Sequence, residues 1–126
     1  MSENTANVDQ IPQTSNFPHP YIFVRCESRI IKVLFDDILY IEGMSEYVKI
    51  VTKSRTRHLM PLLSMRRMID SLPSNLFMRV HRSYIVNLDA IDEIHRMHIV
   101  IGQDTLPVSE MYKEAFYNWV DRNTAG

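Results

Sequence analysis

The stretch Phe77–Leu88, Phe-Met-Arg-Val-His-Arg-Ser-Tyr-Ile-Val-Asn-Leu, decides which fold the rest of the chain can adopt. Val80, Tyr84 and Val86 are of residue types that favour an extended β-strand. The polar side chains of the stretch are more numerous than a buried strand ordinarily carries: Arg79, His81, Arg82, Ser83 and Asn87. The stretch therefore predicts a strand that either pairs these groups inside the fold or presents them to a partner.

Short β-like segments lie on the N-terminal side of this stretch, and their number and spacing favour antiparallel sheets. The predicted strands are Tyr21–Cys26, Ile30–Phe35, Ile38–Glu42, Tyr47–Thr52 and Thr56–Met60. Gly43 is expected to end the third of them. From Leu62 to Leu72 the period changes, because apolar side chains recur at three- and four-residue intervals, as on one face of a helix. That pattern predicts one short helix, which Pro73 would end.

Three further segments on the C-terminal side are strand-like: Ile91–His95, Met97–Ile101 and Thr105–Val108. Ser109 is a good N-cap residue, and Glu110 suits the positive end of a helix. An apolar stripe from Met111 to Val120 then predicts a C-terminal helix. The expected fold is mainly β, with stacked small antiparallel sheets, one short internal helix and a C-terminal helix.

Length and composition favour one folded domain behind a short tail. The chain has 126 residues, of which 45% are hydrophobic, and this is enough to bury a core. Residues 1–20 combine Asn, Gln, Ser and Thr with three prolines and show no apolar period, so we expect a disordered tail or linker there. The folded domain is predicted over residues 21–126.

Charge is unevenly distributed along a chain whose formal net charge is −1. Between Lys49 and Arg96 there are nine cations and four anions; this local excess favours a polyanionic partner, whereas the near-neutral total argues against one. Cys26 is the single cysteine, so an internal disulfide is excluded. No segment reaches the roughly 18 apolar residues of a membrane helix, and no secretory signal is visible. We expect a cytoplasmic protein without membrane contact.

Catalytic and metal-binding patterns are weak in this sequence. It has no phosphate-binding glycine motif and only three glycines. His81 and Ser83 are candidates for a Ser-His-acid site, but no local nucleophile signature accompanies them. His95 and His98 would face opposite ways on one strand, and no further ligand cluster has metal-site spacing. Cys26 is expected to be a buried, inert thiol. We therefore predict no enzyme, no metal and no cofactor.

Nucleic-acid binding is better supported, because it needs cations and amides on phosphates and a few side chains that reach base edges. Groups of these types are concentrated in Gly43–Lys49 and Arg79–Ser83, and Lys53, Arg55 and Arg57 add a third set of cations. The residue types alone leave two interpretations equally open: a DNA-binding surface, or the solvated faces of half-buried strands. Neither helical segment is followed closely by a second one, so a helix-turn-helix is not indicated.

Four blocks, in order and at consistent spacing, resemble the LytTR family of DNA-binding domains. They are Ile38–Glu42, Tyr47–Ile50, Phe77–Asn87 and Leu106–Ser109, and the Arg-Val-His-Arg-Ser-Tyr-Ile-Val-Asn run in the third is the most specific. The resemblance extends from about Tyr21 to the final helix. It implies a mostly-β fold of stacked small sheets, as found in bacterial two-component response regulators behind a phosphorylatable receiver domain. No receiver domain fits before Tyr21, so we expect either a stand-alone regulator or a fragment of a longer protein.

The resemblance also implies that loops and strand edges, rather than a recognition helix, enter successive major grooves of direct-repeat promoter sites, often with two copies bound. By position, the family's contact points fall on the loop Met44–Tyr47 with nearby Lys49, on Arg82, and on Glu110. Glu110 stands where the family commonly has arginine, and its charge would repel phosphate. We expect a neighbouring residue, Ser109 or Lys113, to contact DNA in place of Glu110.

We therefore predict a transcriptional regulator that binds specific double-stranded DNA, with homodimer formation on DNA as an open option and no small-molecule substrate. Arg82 is expected to read a base edge, and His81 to have a structural or mixed role. The predicted DNA-binding residues are Met44, Ser45, Tyr47, Lys49, Lys53, Arg55, Arg57, His81, Arg82, Ser109 and Lys113. The alternative is a non-enzymatic protein-interaction module that uses open sheet edges, and a hydrolase is the third hypothesis.

Overall fold

Three antiparallel sheets and two α-helices make up the computed structural model, which describes residues 17–126. Sheet 1 pairs β1 (Tyr21–Cys26) with β2 (Arg29–Leu34). Sheet 2 has the order β4 (Tyr47–Thr52), β3 (Ile38–Met44), β6 (Tyr84–Asn87), β5 (Phe77–His81). Sheet 3 has the order β7 (Glu93–His95), β8 (His98–Ile101), β9 (Asp104–Pro107). The helices are α1 (Met65–Asp70) and α2 (Glu110–Arg122), so the predicted mainly-β fold is confirmed.

Sheet 2 lies between two hydrophobic clusters, which explains why its strands are apolar on both faces. Neighbouring residues of a strand point to opposite faces. Ile41 therefore packs with Val24 of sheet 1 and Met68 of α1, whereas Tyr40 packs with Ile99 of sheet 3 and with residues of α2. Burial of a side chain of isoleucine size contributes about 1.5–3 kcal/mol. The two clusters fix sheet 2 as the middle layer on which the other elements are stacked.

Phe77–Leu88 contains a hairpin of two strands, not the single strand that its composition predicts. β5 ends at His81, Arg82 and Ser83 form the turn, and β6 begins at Tyr84. Two-residue hairpin turns ordinarily carry Gly, Asn or Asp. Arg82 and Ser83 are none of these three residue types. The sequence therefore contains no signal for a turn between β5 and β6.

Asn87 shows that part of the polar content of this hairpin is paired inside the fold. Its side chain is 2% exposed, and its Nδ2 donates to the carbonyls of Ile38 at 2.8 Å and Phe35 at 3.3 Å. Its Oδ1 accepts the amide of Asp89 at 2.9 Å. Burial of an unpaired amide is costly, so these bonds are needed for Asn87 to be buried. They connect β6 with β3 and with the turns beside these strands.

The predicted strand Thr56–Met60 does not form. Within it only Leu59 pairs, through an isolated bridge to Ile50 at the outer edge of β4. Pro61 follows directly and has no N–H to donate, so a regular ladder cannot continue there. The segment instead returns along β4 as irregular backbone.

Other predicted boundaries differ by a few residues. β3 passes through Gly43 instead of ending before it, and Met97 lies in the β7–β8 turn with a φ of 61°. α1 begins only at Met65, after Ser64, whose hydroxyl accepts the amide of Arg67 at 3.1 Å. This capping bond fixes the start of the helix later than the apolar period alone predicts.

The predicted tail over residues 1–20 lies mostly outside the described residues. Phe17 is the first described residue, and its ring packs edge-on against Phe35 with centroids 5.7 Å apart. Neither helix within residues 17–126 combines the length and the apolarity that crossing a membrane requires.

Candidate nucleic-acid interface

The β3–β4 and β5–β6 turns lie side by side at one end of sheet 2. β3 is antiparallel to both β4 and β6, so the end of β3 meets the starts of both neighbours. The amide of Gly43 donates to the carbonyl of Ser83 at 2.8 Å and ties the two turns together. The predicted contact loop Met44–Tyr47 is thereby placed beside Arg82.

The start of α2 joins the same end of the molecule. The amide of Ser109 donates to the carbonyl of Val80 at 2.9 Å. The guanidinium of Arg79 lies over the ring of Tyr112, 5.7 Å from its centroid. We call the surface formed by residues 44–47, 81–83 and 109–113 the turn end. It brings together the three contact points that the family resemblance implies.

Arg82 is exposed at the tip of the β5–β6 turn. Its carbonyl is occupied, because it accepts a hydrogen bond from Nη2 of Arg79 at 2.5 Å. Its guanidinium has no hydrogen bond or ion pair to another described residue. An unpaired guanidinium offers its planar array of N–H donors to an acceptor pair such as a guanine edge or a phosphate.

His81 is bonded inside its own turn. Its Nδ1 accepts the amide of Ser83 at 3.0 Å, and its ring packs against Tyr84 with centroids 5.5 Å apart. An imidazole nitrogen that accepts must be unprotonated, so the ring proton lies on Nε2. Because the bond comes from the backbone of Ser83, the described structure lacks the hydroxyl–imidazole contact of a Ser-His hydrolase site.

The first loop presents its side chains to solvent. Met44 is 38% and Tyr47 46% exposed, and Ser45 adopts a φ of 63°, which lets a two-residue turn close tightly. Lys49 is different, because its Nζ forms an ion pair with Oε1 of Glu42 at 3.1 Å. A phosphate would have to compete with that carboxylate for Lys49.

The charges at the start of α2 are also paired. Oε1 of Glu110 and Nζ of Lys113 are 3.0 Å apart, and both side chains are largely solvent-exposed. An exposed pair of this kind contributes about 0–1 kcal/mol, so it can be exchanged for another partner at little cost. Ser109 is half-buried at the N-cap position, but its hydroxyl makes no capping bond to the helix.

The remaining predicted cations lie at the opposite end of sheet 2. Lys53 follows Thr52, which pairs with the first residue of β3, and its amide donates to the carbonyl of Asp37 at 2.8 Å. The six residues of β4 separate it from the turn end by roughly 20 Å. Arg55 and Arg57 line a cavity of about 540 Å³ together with Cys26, Glu27, Arg29, His58, Leu59 and Met60. The predicted contact residues therefore fall into two separate groups.

The histidine pair that was expected to diverge is in fact juxtaposed. His95 and His98 are cross-strand partners in the β7–β8 hairpin, because the chain turns between them. Their bonds go to Oε1 of Glu93 at 2.9 Å and to the carbonyl of Arg96 at 3.1 Å. No group of three His, Cys, Asp or Glu side chains within residues 17–126 is arranged to hold a metal ion.

Cys26 is buried, as predicted, with 7% of its surface exposed. Burial raises the pKa of its thiol, and the hydrogen bond with the backbone of Met60 opposes that effect only in part. A raised pKa keeps the thiol protonated and therefore unreactive near neutral pH.

Arg79, which lies in β5 beside the turn end, and Tyr112, which lies within the turn end, are absent from the predicted site. The sequence predicts only a polar strand residue at Arg79 and part of an apolar helical stripe at Tyr112. The Arg79 guanidinium bonds to backbone carbonyls, which every residue type possesses, and Tyr112 reaches Arg79 only once α2 has docked on β5. Neither contact has a signature in the local sequence.

Comparisons with known proteins agree with this geometry. Residues 28–121 match the family model described as the LytTr DNA-binding domain. The fold is similar to a solved structure described as the LytTr DNA-binding domain of a response regulator from Bacillus cereus. The two share 21% sequence identity with a TM-score of 0.69, and the match covers 81% of this chain and 97% of the other. Since the family model spans most of the folded residues, the chain belongs to the LytTr family of DNA-binding domains.

Proposed function

We propose that the protein binds a specific double-stranded DNA sequence through the turn end and thereby regulates transcription. One observation carries this proposal: two hairpin turns and a helix start meet at one end of the sheet, with the unpaired guanidinium of Arg82 at the tip. Family membership supplies DNA as the partner. The protein acts by binding, without catalysis, and works in the cytoplasm where bacterial DNA is accessible.

Arg82 reads a base edge in this proposal, most simply by two parallel hydrogen bonds to O6 and N7 of a guanine in the major groove. Met44, Ser45 and Tyr47 approach the same duplex from the neighbouring turn, and Ser109 contacts its backbone. Glu110 turns away from phosphate toward Lys113, whose ammonium it already pairs. The turn end thus combines base reading with backbone registration.

We further propose that two copies occupy a direct repeat, and that the loops and strand edges of the protein enter successive major grooves of that site. A hairpin turn is small enough to enter the major groove, which is about 12 Å wide. Lys49, Lys53, Arg55 and Arg57 neutralise phosphates between and beside these contacts, which gives the binding its dependence on salt.

The experiment that tests this function is a selection from random duplexes with the full chain, read for a repeated motif and its spacing. Recovery of one motif in two copies supports the proposal, and recovery of unrelated sequences contradicts specific binding. Arg82→Ala should then cost about 1–3 kcal/mol on the selected site and relax the preference at one base position. An equal loss on every single-base variant would instead make Arg82 a phosphate contact.

A second candidate function, protein interaction, is favoured by the exposed face of sheet 1. Phe23 is 59%, Ile30 57% and Leu34 46% exposed on this two-stranded sheet, both of whose strands have a free edge in the described structure. Such an edge can accept a strand from a partner. Duplex binding at low salt discriminates the two functions: a DNA-binding domain retains salt-sensitive affinity even for non-specific duplex, and a pure protein-binding module does not.

A further inference from the structure

The β5–β6 turn, which carries Arg82, is built differently from the other hairpin turns of residues 17–126. All five two-residue hairpin turns are known from the strand pairing, and four contain a residue with positive φ. These residues are Glu27 at 57°, Ser45 at 63°, Met97 at 61° and Gly102 at 62°. Neither Arg82 nor Ser83 has a positive φ. Positive φ allows a two-residue turn to match the twist of its strands. The β5–β6 pairing instead shifts register between Arg79 and His81, and an interaction with the turn backbone accompanies this irregularity.

Side chains supply that interaction, and Arg79 contributes most of it. Its Nη2 donates to the carbonyl of Arg82 at 2.5 Å, and its Nε donates to the carbonyl of His81 at 3.4 Å. The guanidinium therefore clamps two successive carbonyls of the turn from the preceding strand. A hydrogen bond from a charged donor is stronger than one between neutral groups, so this clamp suits a turn that its backbone alone does not favour.

The same guanidinium is held from its other side by α2. The ring of Tyr112 lies beneath it, and the amide of Tyr112 bonds to the carbonyl of Ser109 at 3.1 Å in the first turn of the helix. A guanidinium over an aromatic face is attracted to the electrons of the ring. Arg79 consequently links the turn that carries Arg82 to the helix start at the other side of the turn end.

We propose that Arg79 is a positioning residue that determines the specificity of DNA reading by fixing the turn from which Arg82 extends. This inference rests on the proposed function. A turn that is already fixed loses less conformational entropy when its arginine meets a base, and it offers that arginine in one direction only. Without the clamp Arg82 still reaches the duplex, but it discriminates poorly among bases.

The decisive variant is Arg79→Lys, which keeps the positive charge but cannot reproduce a planar clamp on two carbonyls. We expect about a tenfold loss of affinity on the selected site, which corresponds to the loss of one or two hydrogen bonds. The relaxed base position should be the same one that Arg82→Ala relaxes. Affinity for non-specific duplex and its salt dependence should stay unchanged. Arg122→Ala, which removes an exposed charge at the far end of α2, is the control.

A double-variant cycle separates positioning from direct contact. If Arg79 acts through Arg82, the Arg79→Lys/Arg82→Ala double variant binds about as weakly as Arg82→Ala alone. Once the guanidinium of Arg82 is absent, the position of its turn no longer affects the affinity. Additive losses would overturn the proposal and make Arg79 an independent contact. Arg79→Ala would in that case also lower the slope of log affinity against log salt by about one, as the loss of a phosphate contact does.

Hydrogen exchange in the free protein tests the clamp without DNA. The amide of Ser83 should exchange faster in Arg79→Lys than in the parent, whereas amides of sheet 3 should not change. Unchanged exchange at Ser83 would overturn the proposal, and faster exchange everywhere would reduce Arg79 to a general stabilising residue. If Arg82→Ala leaves base preference intact, the reading role of Arg82 fails, yet this measurement still decides whether Arg79 fixes the turn.

Discussion

The two ring nitrogens of His81 lie in different surroundings. Nδ1 is committed to the amide of Ser83 at 3.0 Å, which leaves the Nε2–H as a donor without a partner among the described residues. One nitrogen therefore serves the turn, and the other is free for a phosphate or base acceptor. The structural or mixed role expected for His81 therefore stays a prediction, and the two nitrogens can be tested separately.

Asparagine at position 81 should separate the two functions, because its Oδ1 can take the place of Nδ1 while it has no group in the place of Nε2. We expect His81→Ala to lower the free energy of unfolding by about 1 kcal/mol and His81→Asn by clearly less. Both variants should weaken DNA binding to a similar extent. Urea unfolding and titration of the selected duplex give the two readouts. Equal destabilisation by both variants would show that the bond to Ser83 does not support the turn.

Single-residue roles could be predicted only where residue type restricts the partner. Arg82 is singled out by its position in the family resemblance, and its role as a DNA contact stays a prediction. Asn87 follows the first of the two alternatives that the sequence leaves open for the polar groups of Phe77–Leu88, because its side chain is paired with backbone groups inside the fold. Arg79 has the same chemistry as Arg82, but its partners are backbone carbonyls brought within reach by the fold. No local pattern in the sequence distinguishes an arginine that bonds to backbone carbonyls from one whose guanidinium is left unpaired.

At the scale of elements, Gly43 joins three pieces of structure. A Cβ at this position would lie 3.0 Å from Cγ of Met65 in α1 and 3.7 Å from the Cα of Ser83 in the β5–β6 turn. Its φ is not positive, so the requirement for glycine is one of space and not of backbone conformation. The sequence predicts a strand end at Gly43, but β3 continues through this glycine, which marks a close approach between elements.

Graded substitution of Gly43 should reveal this packing. We expect Gly43→Ala to cost about 1 kcal/mol of stability, because the flexible Met65 can yield, and Gly43→Val to cost about 1–3 kcal/mol. Met65→Ala should partly relieve the cost of Gly43→Ala, since it removes the closest atoms. Thermal unfolding of the single and double variants measures the coupling. Full additivity would show that the contact with Met65 does not cause the loss of stability.

The bounds of a strand could be predicted to the residue where polar turn residues lie at both of its ends. The predicted β1 and β4 have the observed bounds, because polar turn residues flank an apolar run in each case. The break in Phe77–Leu88 could not be predicted, since Arg82 and Ser83 are not hairpin-turn residues and the turn depends on side-chain bonds. The strand expected over Thr56–Met60 failed because pairing there competes with Pro61.

At the scale of the whole molecule, sheets 2 and 3 are joined by a buried tyrosine. The hydroxyl of Tyr40 donates to Oδ2 of Asp104 at 3.0 Å, across the boundary between β3 and β9. Burial, followed by this bond to a carboxylate, raises the pKa of Tyr40 well above its ordinary value of about 10. Burial also raises the pKa of Tyr84, aided by the charge of Glu42, to which it donates a hydrogen bond.

Because the pKa values of Tyr40 and Tyr84 are raised by folding, the folded protein becomes less stable at alkaline pH. Above about pH 10 the unfolded chain loses tyrosine protons that the folded chain retains, so the free energy of unfolding falls as pH rises. Tyr40→Phe should flatten this decline, although it lowers stability at neutral pH by about 0.5–1.5 kcal/mol through loss of the bond. Tyr47→Phe, at an exposed position, is the matched control. Urea midpoints across the alkaline range that fall equally steeply in Tyr40→Phe and the parent would contradict the assignment.

The separation of the predicted cations into two groups leads to a prediction about how DNA crosses the molecule. The turn end and Lys53 are roughly 20 Å apart along sheet 2, less than one helical turn of B-DNA, which is about 34 Å. A duplex that engages the turn end and continues across the sheet can therefore bring a phosphate to Lys53 in the same complex.

Lys53→Ala should accordingly weaken binding to all duplexes alike and lower the slope of log affinity against log salt by about one. Arg55→Ala should behave in the same way, whereas Arg122→Ala should leave the slope unchanged. Fluorescence titrations of the selected and a non-specific duplex over a range of salt concentrations provide the slopes. An unchanged slope for both Lys53→Ala and Arg55→Ala would confine the DNA contact to the turn end, because each neutralised phosphate must release its counterions.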